Sequence, residues 1–522
     1  MKVISAQQAA DLIKDGATLA VGGFCGFGSP EELLIAIGDR FEQTGSPKNL
    51  TLFKGVSIGD KEKRGCSRIS REGLISKVIC AHIGLEPPLQ KLVEENKCLA
   101  YMLPLGTVTE LLRAAASHRP GVITGCGLHT FADPRVEGSK ANRLTVEKGE
   151  DIVTLLDIDG EECLFYRPVP IDVCVIRGSY ADRHGNISLD REALQSDQFE
   201  AAAAAKNSGG IVIVQVEDIL EEDMPLCHVK LHHFMVDYVV KARPENHQQG
   251  YDSPAYRPEL TGEIRRDPKN NRRVQVQSMT LNDRKVCGRR AAMELEKGAV
   301  INLGIGMPDA VSAVADEEKL TGQFTLSIES GVLGGVPLTG LGLGASAYPE
   351  AIYKMADILN IYNGGGLDMA VLGMAEVDAQ GNVNVSKFGG RVTGPGGFVD
   401  ISQHTKKVIF VGTFTAGGLR TSYDTGALRI LQEGRSVKFR KQVEQISFSG
   451  RRALETGKEV LVVTERAVFR LTRQGLELIE IAPGMDLQRD ILAHMEFVPP
   501  VSTELKIMDE RIFRQEPMGL RL

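Results

Sequence analysis

The chain has 522 residues, of which 42% are hydrophobic and 25% charged, and its formal charge is −7. A chain of this length outgrows a single hydrophobic core, so two or more domains are expected. The acidic balance argues against a polyanion binder built on a basic excess, and no uninterrupted apolar run reaches the ~20 residues that span a bilayer.

The N-terminus "MKVISAQQAADLIKDG" begins polar and turns into a helix, unlike a signal peptide. Ser5 with Gln8 forms a capping box, and the helix is expected to run to Lys14 and stop at Gly16. "ATLAV" (17–21) reads as a short buried strand and "GGFCGFG" (22–28) as a loop. Ser29, Pro30 and Glu32 then predict the next helix start, as N-cap, first-turn proline and capping acid. The loop holds no G-x-G-x-x-G, which argues against nicotinamide binding. In "CHVKLHHF", Cys227, His228, His232 and His233 have spacings that suit a metal. No second ligand cluster lies nearby in sequence, so ordinary packing is expected and no metal. All nine cysteines fall within the first 287 residues and none forms a CxxC pair. That pattern fits reduced thiols in a soluble cytoplasmic protein. Residues 251–285 are polar and proline-containing, and they read as a linker. Its basic residues Arg265, Arg266, Lys269, Arg272 and Arg273 read as a solvated stretch.

The first part of the chain is written again later. "AADLIKDGATLAVG" (9–22) aligns without gaps with "AAMELEKGAVINLG" (291–304), and Pro308 answers Pro30. "DVCVIRGSYADRHGNISL" (172–189) aligns with "DMAVLGMAEVDAQGNVNV" (368–385), both Asp residues and the Gly-Asn turn included. "GGIVIVQVEDI" and "KKVIFVGTFTA" follow in the same relative place, and "NLTLFKG" with "QFTLSIESG" makes a weaker pair in the right order. Ordered matches of this kind indicate two homologous halves. Helices alternating with short Val/Ile/Leu runs predict an α/β fold with mainly parallel sheets in each half. The expected organisation is an N-terminal α/β domain over 1–250, the linker over 251–285 and a C-terminal α/β domain over 286–522.

Ligands of open α/β sheets collect at the carboxyl ends of strands. Three glycine-rich loops have that context: "GGFCGFG", "GIGMP" (304–308) and "TGPGGF" (393–398). Glycine there lets a ligand approach the backbone and leaves N–H groups to face an anion or a developing oxyanion. "FTLSIESGVLGGVPLTG" (324–340) ends a strand on Glu329 and follows it with Gly331, Gly334 and Gly335, as if bulk were cleared for a reacting partner. The repeat places Lys54–Gly55 near the equivalent position, so the duplication alone does not require an acid there. Such a carboxylate can act as a general base or as a nucleophile towards an activated acyl carbon. No G-x-S-x-G accompanies it, which argues against a serine hydrolase.

At these residues the chain resembles the family I coenzyme A transferases, and most of all the single-chain propionate or acetate CoA-transferases. "IESGVLGGVP", "GGGLDMAVLGMAEVDAQGNVNVSKFGGR", "TGPGGFVDISQ" and "TERAVFRLTRQGLELIEIAPGMDLQRDIL" carry the resemblance, and "HTFADPR" and "FYRPVPIDVCVIRG" extend it through the first half. The resemblance implies two CoA-transferase-like domains with the site between them and no tightly bound cofactor. Coenzyme A and acyl-CoA would be substrates, short-chain carboxylates the other partners, and a homo-oligomer the assembly. Glu329 falls on the family's catalytic glutamate, which becomes a glutamyl-CoA thioester in a ping-pong exchange. Gly304, Ile305, Gly306, Met307, Pro308 and Gly394 correspond to CoA-contacting positions. Gly396 and Gly397 lie where backbone donors face the reacting carbonyl. One departure is Leu105 in "YMLPLGTVTELL", where many relatives carry a glutamine proposed as an oxyanion donor. His232-His233 likewise replace an Ile-Pro-Gly-like stretch. An acyl-CoA hydrolase, or a catalytically retired small-molecule sensor of the same fold, are the alternatives.

Overall fold

The computed structural model describes residues 2–253, 255–266, 279–424 and 426–522. The middle of the expected linker, with Lys269, Arg272 and Arg273, lies outside the described residues. The chain divides into two compact units that interleave along the sequence. Unit 1 takes Met1–Arg266, Ile328–Asn360 and Gly389–Asp400; unit 2 takes Asp267–Ser327, Ile361–Phe388 and Ile401–Leu522.

Unit 1 is built on eight strands: β1 (Lys2–Val3), β2 (Thr18–Val21), β3 (Leu50–Phe53), β4 (Ile75–Cys80), β5 (Leu99–Met102), β6 (Val173–Arg177), β7 (Ile211–Val216) and β8 (Tyr238–Lys241). Their order is β1-β8-β7-β6-β2-β3-β4-β5, and every neighbouring pair is parallel. Parallel strands covered on both faces read as continuous apolar runs, and Leu19, Leu52, Val78, Val175 and Ile213 are accordingly all at 0% exposure. The helices include α1 (Ala6–Asp11), α2 (Glu31–Thr44), α3 (Pro87–Glu94), α4 (Leu105–Ala116) and α5 (Gln198–Asn207).

The capping box forms as the sequence predicts, with Ser5 and Gln8 each donating a backbone N–H to the other's side chain. Helix α1 ends at Asp11, short of Lys14. The start of α2 differs from expectation. Ser29 does not cap it, because its hydroxyl accepts from Tyr251 instead, at 2.9 Å. The N–H groups of Glu32 and Leu33 are bound by Oε1 of Gln215, a buried amide on the neighbouring β7, at 2.9 and 3.4 Å. A long-range cap of this kind satisfies the same orphan donors as a local one.

Unit 2 carries β9 (Val300–Leu303), β10 (Thr325–Ser327), β11 (Met369–Gly373), β12 (Lys407–Val411), β13 (Glu459–Val463), β14 (Ala467–Thr472), β15 (Gly475–Ile481) and β16 (Val501–Ile507). They run in the order β10-β9-β11-β12-β13-β14-β15-β16. The sheet is parallel as far as β13, and β14 then enters antiparallel to it. Helices α6 (Asp283–Ala292) and α7 (Ala310–Glu317) pack on its core, where Ile301, Val371, Ile409 and Val463 are fully buried.

The sequence repeat is a repeat of topology. The run β8-β7-β6-β2-β3 in unit 1 matches β13-β12-β11-β9-β10 in unit 2. Individual hydrogen bonds recur as well. Asp172 accepts the N–H of Thr18 at 2.8 Å, and Asp368 accepts that of Val300 at 2.9 Å. After the equivalent strands, Asp182 accepts the N–H groups of His184, Gly185 and Asn186 at 2.9–3.0 Å. Asp378 does the same for Gln380 and Asn382 at 3.0 Å.

These two turns give a direct test. Asp182→Ala leaves three backbone donors without their acceptor, so it is expected to cost about 1–3 kcal/mol of stability. Denaturant unfolding should show a lower midpoint with an unchanged slope, and Asp378→Ala should behave alike.

Candidate functional site

Glu329 follows β10 by two residues and opens a tight turn, closed by Ile328 N–H to Val332 C=O at 2.9 Å and Gly331 N–H to Ile328 C=O at 3.0 Å. The glycines after it have a different reason from the one the sequence suggested. Gly331 has φ +107°, and a Cβ there would lie 2.1 Å from the Tyr353 carbonyl oxygen. Gly334 and Gly335 also have positive φ, and a side chain on either would meet Glu350 or the Ala347 carbonyl at 2.5 Å. The space is therefore occupied by residues 347–353 rather than left open. That returning segment clamps the turn, with Tyr353 N–H donating to Gly331 C=O at 2.8 Å and Met355 N–H to Gln195 C=O at 2.9 Å.

Glu329 itself is half-buried. It stands close enough to Cys25 to act on it electrostatically: burial pushes the Cys25 thiol far above its ordinary range, and the Glu329 carboxylate adds to the push. The glycine loop 22–28 thus belongs with Glu329, as its position at the end of β2 foreshadows. Cys25 itself has φ 53°. Its N–H donates to Ser57 C=O at 2.8 Å, and its carbonyl accepts from Gly59 at 3.1 Å.

Beneath this loop lies a buried ion pair that sequence inspection did not single out. Lys54 Nζ is 2.9 Å from Glu86, with both side chains at 0% exposure. Nζ also donates to the carbonyls of Val56 and His82, while Glu86 accepts the N–H of Ile58 at 2.6 Å. Burial would lower the Lys54 pKa, but Glu86, with Cys80 and Cys66 behind it, turns the net shift upward, while burial raises Glu86 as well. His82 is the opposite case. Burial, then the Lys54 ammonium, drives it down to about 3, so the imidazole is neutral, with Nδ1 2.8 Å from the Ser57 hydroxyl.

Against this platform runs the third glycine loop. Ile83 N–H donates to Thr393 C=O at 2.7 Å, and Gly396 N–H donates to Ala81 C=O at 2.9 Å. Gly394 is buried with φ +79°, and a Cβ there would sit 2.4 Å from the Ala81 carbonyl oxygen. Its glycine is accounted for by backbone packing. Gly396, with φ 58°, has its N–H engaged, whereas Gly397 follows it as the next buried residue.

Two further acids in unit 1, Asp400 and Asp197, went unnoticed in the sequence. Asp400 is fully buried and accepts the N–H of Gly106 in the first turn of α4 at 3.1 Å, an anion at a helix N-terminus. Leu105 opens the same helix and is fully buried. Asp197, at the start of α5, accepts the N–H of Gly23 at 3.3 Å. Burial pushes Asp197 up to about 7. The available signal was "LQSDQF", a Ser-Asp pair ahead of an alanine-rich helix, which reads equally well as an ordinary cap.

Unit 2 holds the remaining expected positions, Gly304 to Pro308, immediately after β9. Ile305 is 61% exposed. Gly306 has φ +87° with no atom near its Cβ position. Pro308 is buried, and Met307 packs in part against the core. A cavity of about 580 Å³ in unit 2, lined by Asp378, Gln380, Asn382, Lys441 and Glu496 among others, contains none of the expected site residues. Among the described residues no group of three or more His, Cys, Asp or Glu could hold a metal ion, and no helix is long and apolar enough to cross a membrane. His228 pairs with Asp190 at 2.9 Å, and the His232 and His233 rings lie 4.1 Å apart, tilted by 37°.

Comparison with known proteins shows the family. Residues 3–242 match the family described as Coenzyme A transferase. The caffeate CoA-transferase of Acetobacterium woodii is 44% identical over 525 residues, covering 99% of this chain and 98% of its own. The acetate CoA-transferase YdiF of Escherichia coli K12 is 42% identical, covering 100% and 96%. The crystal structure of acyl-CoA transferase YdiF from E. coli O157:H7, as a thioester complex with CoA, superposes with a TM-score of 0.93 at 41% identity over 100% of this chain. With the likeness running end to end in sequence and in fold, this chain belongs to the coenzyme A transferase family and is a CoA-transferase.

Proposed function

We propose that the protein exchanges CoA between short-chain carboxylic acids, with Glu329 as the covalent nucleophile. The observation that carries this reading is the clamped, half-buried turn that presents Glu329 beside the glycine loop 22–28. In the first half-reaction a Glu329 oxygen attacks the acyl-CoA carbonyl, and the sulfur leaves as CoA thiolate with the C–S electron pair. The thiolate then attacks the side-chain carbonyl of the mixed anhydride, expelling the first acid and leaving a glutamyl thioester. A second carboxylate reverses both steps and departs as the new acyl-CoA. No net proton or electron change is required.

A carboxylate is a weak nucleophile, so remote binding of the long CoA molecule must lower the barrier at the reacting carbon. Gly304, Ile305, Gly306, Met307 and Pro308 are the segment assigned to that binding, supported by the open backbone at Gly306 and the exposed Ile305. For the oxyanion, the amide of Gly397 is the better donor in this reading. That of Gly396 is already spent on Ala81, and its contribution is to shape the turn together with Gly394. The nine unpaired thiols support a cytoplasmic setting. The reading also takes acetate, propionate or butyrate as the acids and a homo-oligomer as the working assembly.

Incubation with acyl-CoA followed by intact-protein mass measurement is expected to show a CoA-sized adduct on the wild type and none on Glu329→Gln. An equal adduct on the variant removes Glu329 from the mechanism, and release of free CoA without acceptor acid turns the reading into a hydrolase. Gly331→Ala should lower kcat/KM by about 100-fold, because its Cβ cannot coexist with the Tyr353 carbonyl and the nucleophile must shift. Thermal unfolding run alongside separates misplacement from loss of fold.

A further inference from the structure

Asp197 is fixed close to the Glu329 turn by one strap of chain. Tyr353 bonds Gly331, two residues past Glu329, and Met355 bonds Gln195, two residues before Asp197. The glycine loop makes a second link, since Gly23 donates to Asp197 while Cys25 stands beside Glu329. Oδ1 accepts from Gly23, the carboxyl is also bonded by the Ser196 hydroxyl and its own backbone N–H, and Oδ2 borders a small corner at Gly55. A Cβ built on Gly55 would sit 3.5 Å from Asp197 Oδ2, 3.5 Å from Leu105 Cδ1 and 3.4 Å from Met355 Cε. Those are ordinary contact distances, so the corner has room for one carbon between two apolar walls and one carboxyl. Strand register gives the corner a meaning: Thr51 pairs with Thr18 and Thr325 with Val300, so Gly55 is the counterpart of Glu329 in the duplicated fold.

We propose that Asp197 is the acid-recognition residue of this enzyme, its Oδ2 binding an oxygen of the short carboxylic acid and supplying the polar contact that Leu105 cannot. The inference rests on the CoA-transfer reading above. A neutral carboxyl donates a hydrogen bond to a substrate carboxylate, whereas an ionised one repels it. An acyl-CoA carbonyl carries no full charge, so the same ionisation leaves it much less affected. Burial holds Asp197 protonated up to about pH 7. Other charged and titratable groups surround it. Glu200 on α5 is held by Arg113 at 3.2 Å and Lys354 at 3.8 Å. The thiols of Cys174 and Cys25 are pushed far upward and His82 is pushed down to about 3.

The test measures KM for acetate and for acyl-CoA between pH 6 and 8. In the wild type the acetate KM should rise about tenfold over that range, following the loss of the protonated carboxyl, while the acyl-CoA KM stays nearly level. Asp197→Asn keeps an N–H donor that cannot ionise, so the acetate slope should vanish. Gly55→Ala places a methyl against Oδ2 without backbone strain and should raise the acetate KM about tenfold with an unfolding midpoint close to wild type. An acetate slope retained in Asp197→Asn, or an acetate KM unmoved in folded Gly55→Ala, overturns the proposal. Absence of the CoA-sized adduct on wild-type protein overturns instead the reading on which it rests.

Discussion

The buried Lys54–Glu86 pair holds the candidate site together. It joins the end of β3 to the segment after β4, and each partner also bonds backbone: Lys54 to Val56 and His82, Glu86 to Ile58. Those backbone segments are the ones that receive the other loops. Ser57 and Gly59 bind Cys25 of the first glycine loop, and Ala81 and Ile83 bind Gly396 and Thr393 of the last. Removing either charge would strand the other in a low-dielectric interior, which costs far more than a surface ion pair contributes. Specificity of loop placement, more than net stability, is what such a pair offers here.

Five strands of each sheet share one order, and the two copies differ at one informative position. Two residues past the matching strands β3 and β10 stands Gly55 in one half and Glu329 in the other. The first half keeps a space where the second has a carboxylate. In the proposed reaction the two copies would take separate roles, Glu329 as the reactive group and Gly55 as a corner walled by Leu105, Met355 and Asp197. The glycines that follow Glu329 serve this arrangement by letting residues 347–353 lie directly on the turn, which fixes its geometry from outside the sheet.

Much of this was legible in the sequence, and the parts that were not have physical reasons. The strands were readable because buried parallel strands must be continuously apolar, and the repeat because equivalent turns need the same Asp and Gly-Asn residues, as Asp182 and Asp378 do. The cap of α2 was misread because Gln215, far away in sequence, outcompetes the local serine. Gly331, Gly334 and Gly335 looked like cleared space because composition reports that a side chain is missing, not what takes its place. Glu86, His82, Asp197 and the ion pair of Lys54 went unnoticed since a charged residue beside a strand reads as solvated unless its partner is known. The interleaving of 328–360 and 389–400 with the N-terminal part likewise follows from long-range packing that no local pattern records.

The ionisable groups around the first glycine loop and the platform beneath it share one property. Burial drives the Cys25 thiol upward, drives His82 down to about 3 and raises Asp197 to about 7, so each is kept in its uncharged form over some or all of the neutral range. The exception, Lys54, is neutralised by Glu86 at 2.9 Å. A carboxylate nucleophile gains from such surroundings, because a nearby free cation would hold its electrons and a nearby free anion would repel the incoming acid. Water exclusion acts in the same direction, since both an anhydride and a thioester are lost to hydrolysis in an open site. The chemistry thus asks for a dry, nearly uncharged enclosure with a single reactive carboxylate, and the buried pair with its dependent loops is a way to build one from residues that are mostly polar.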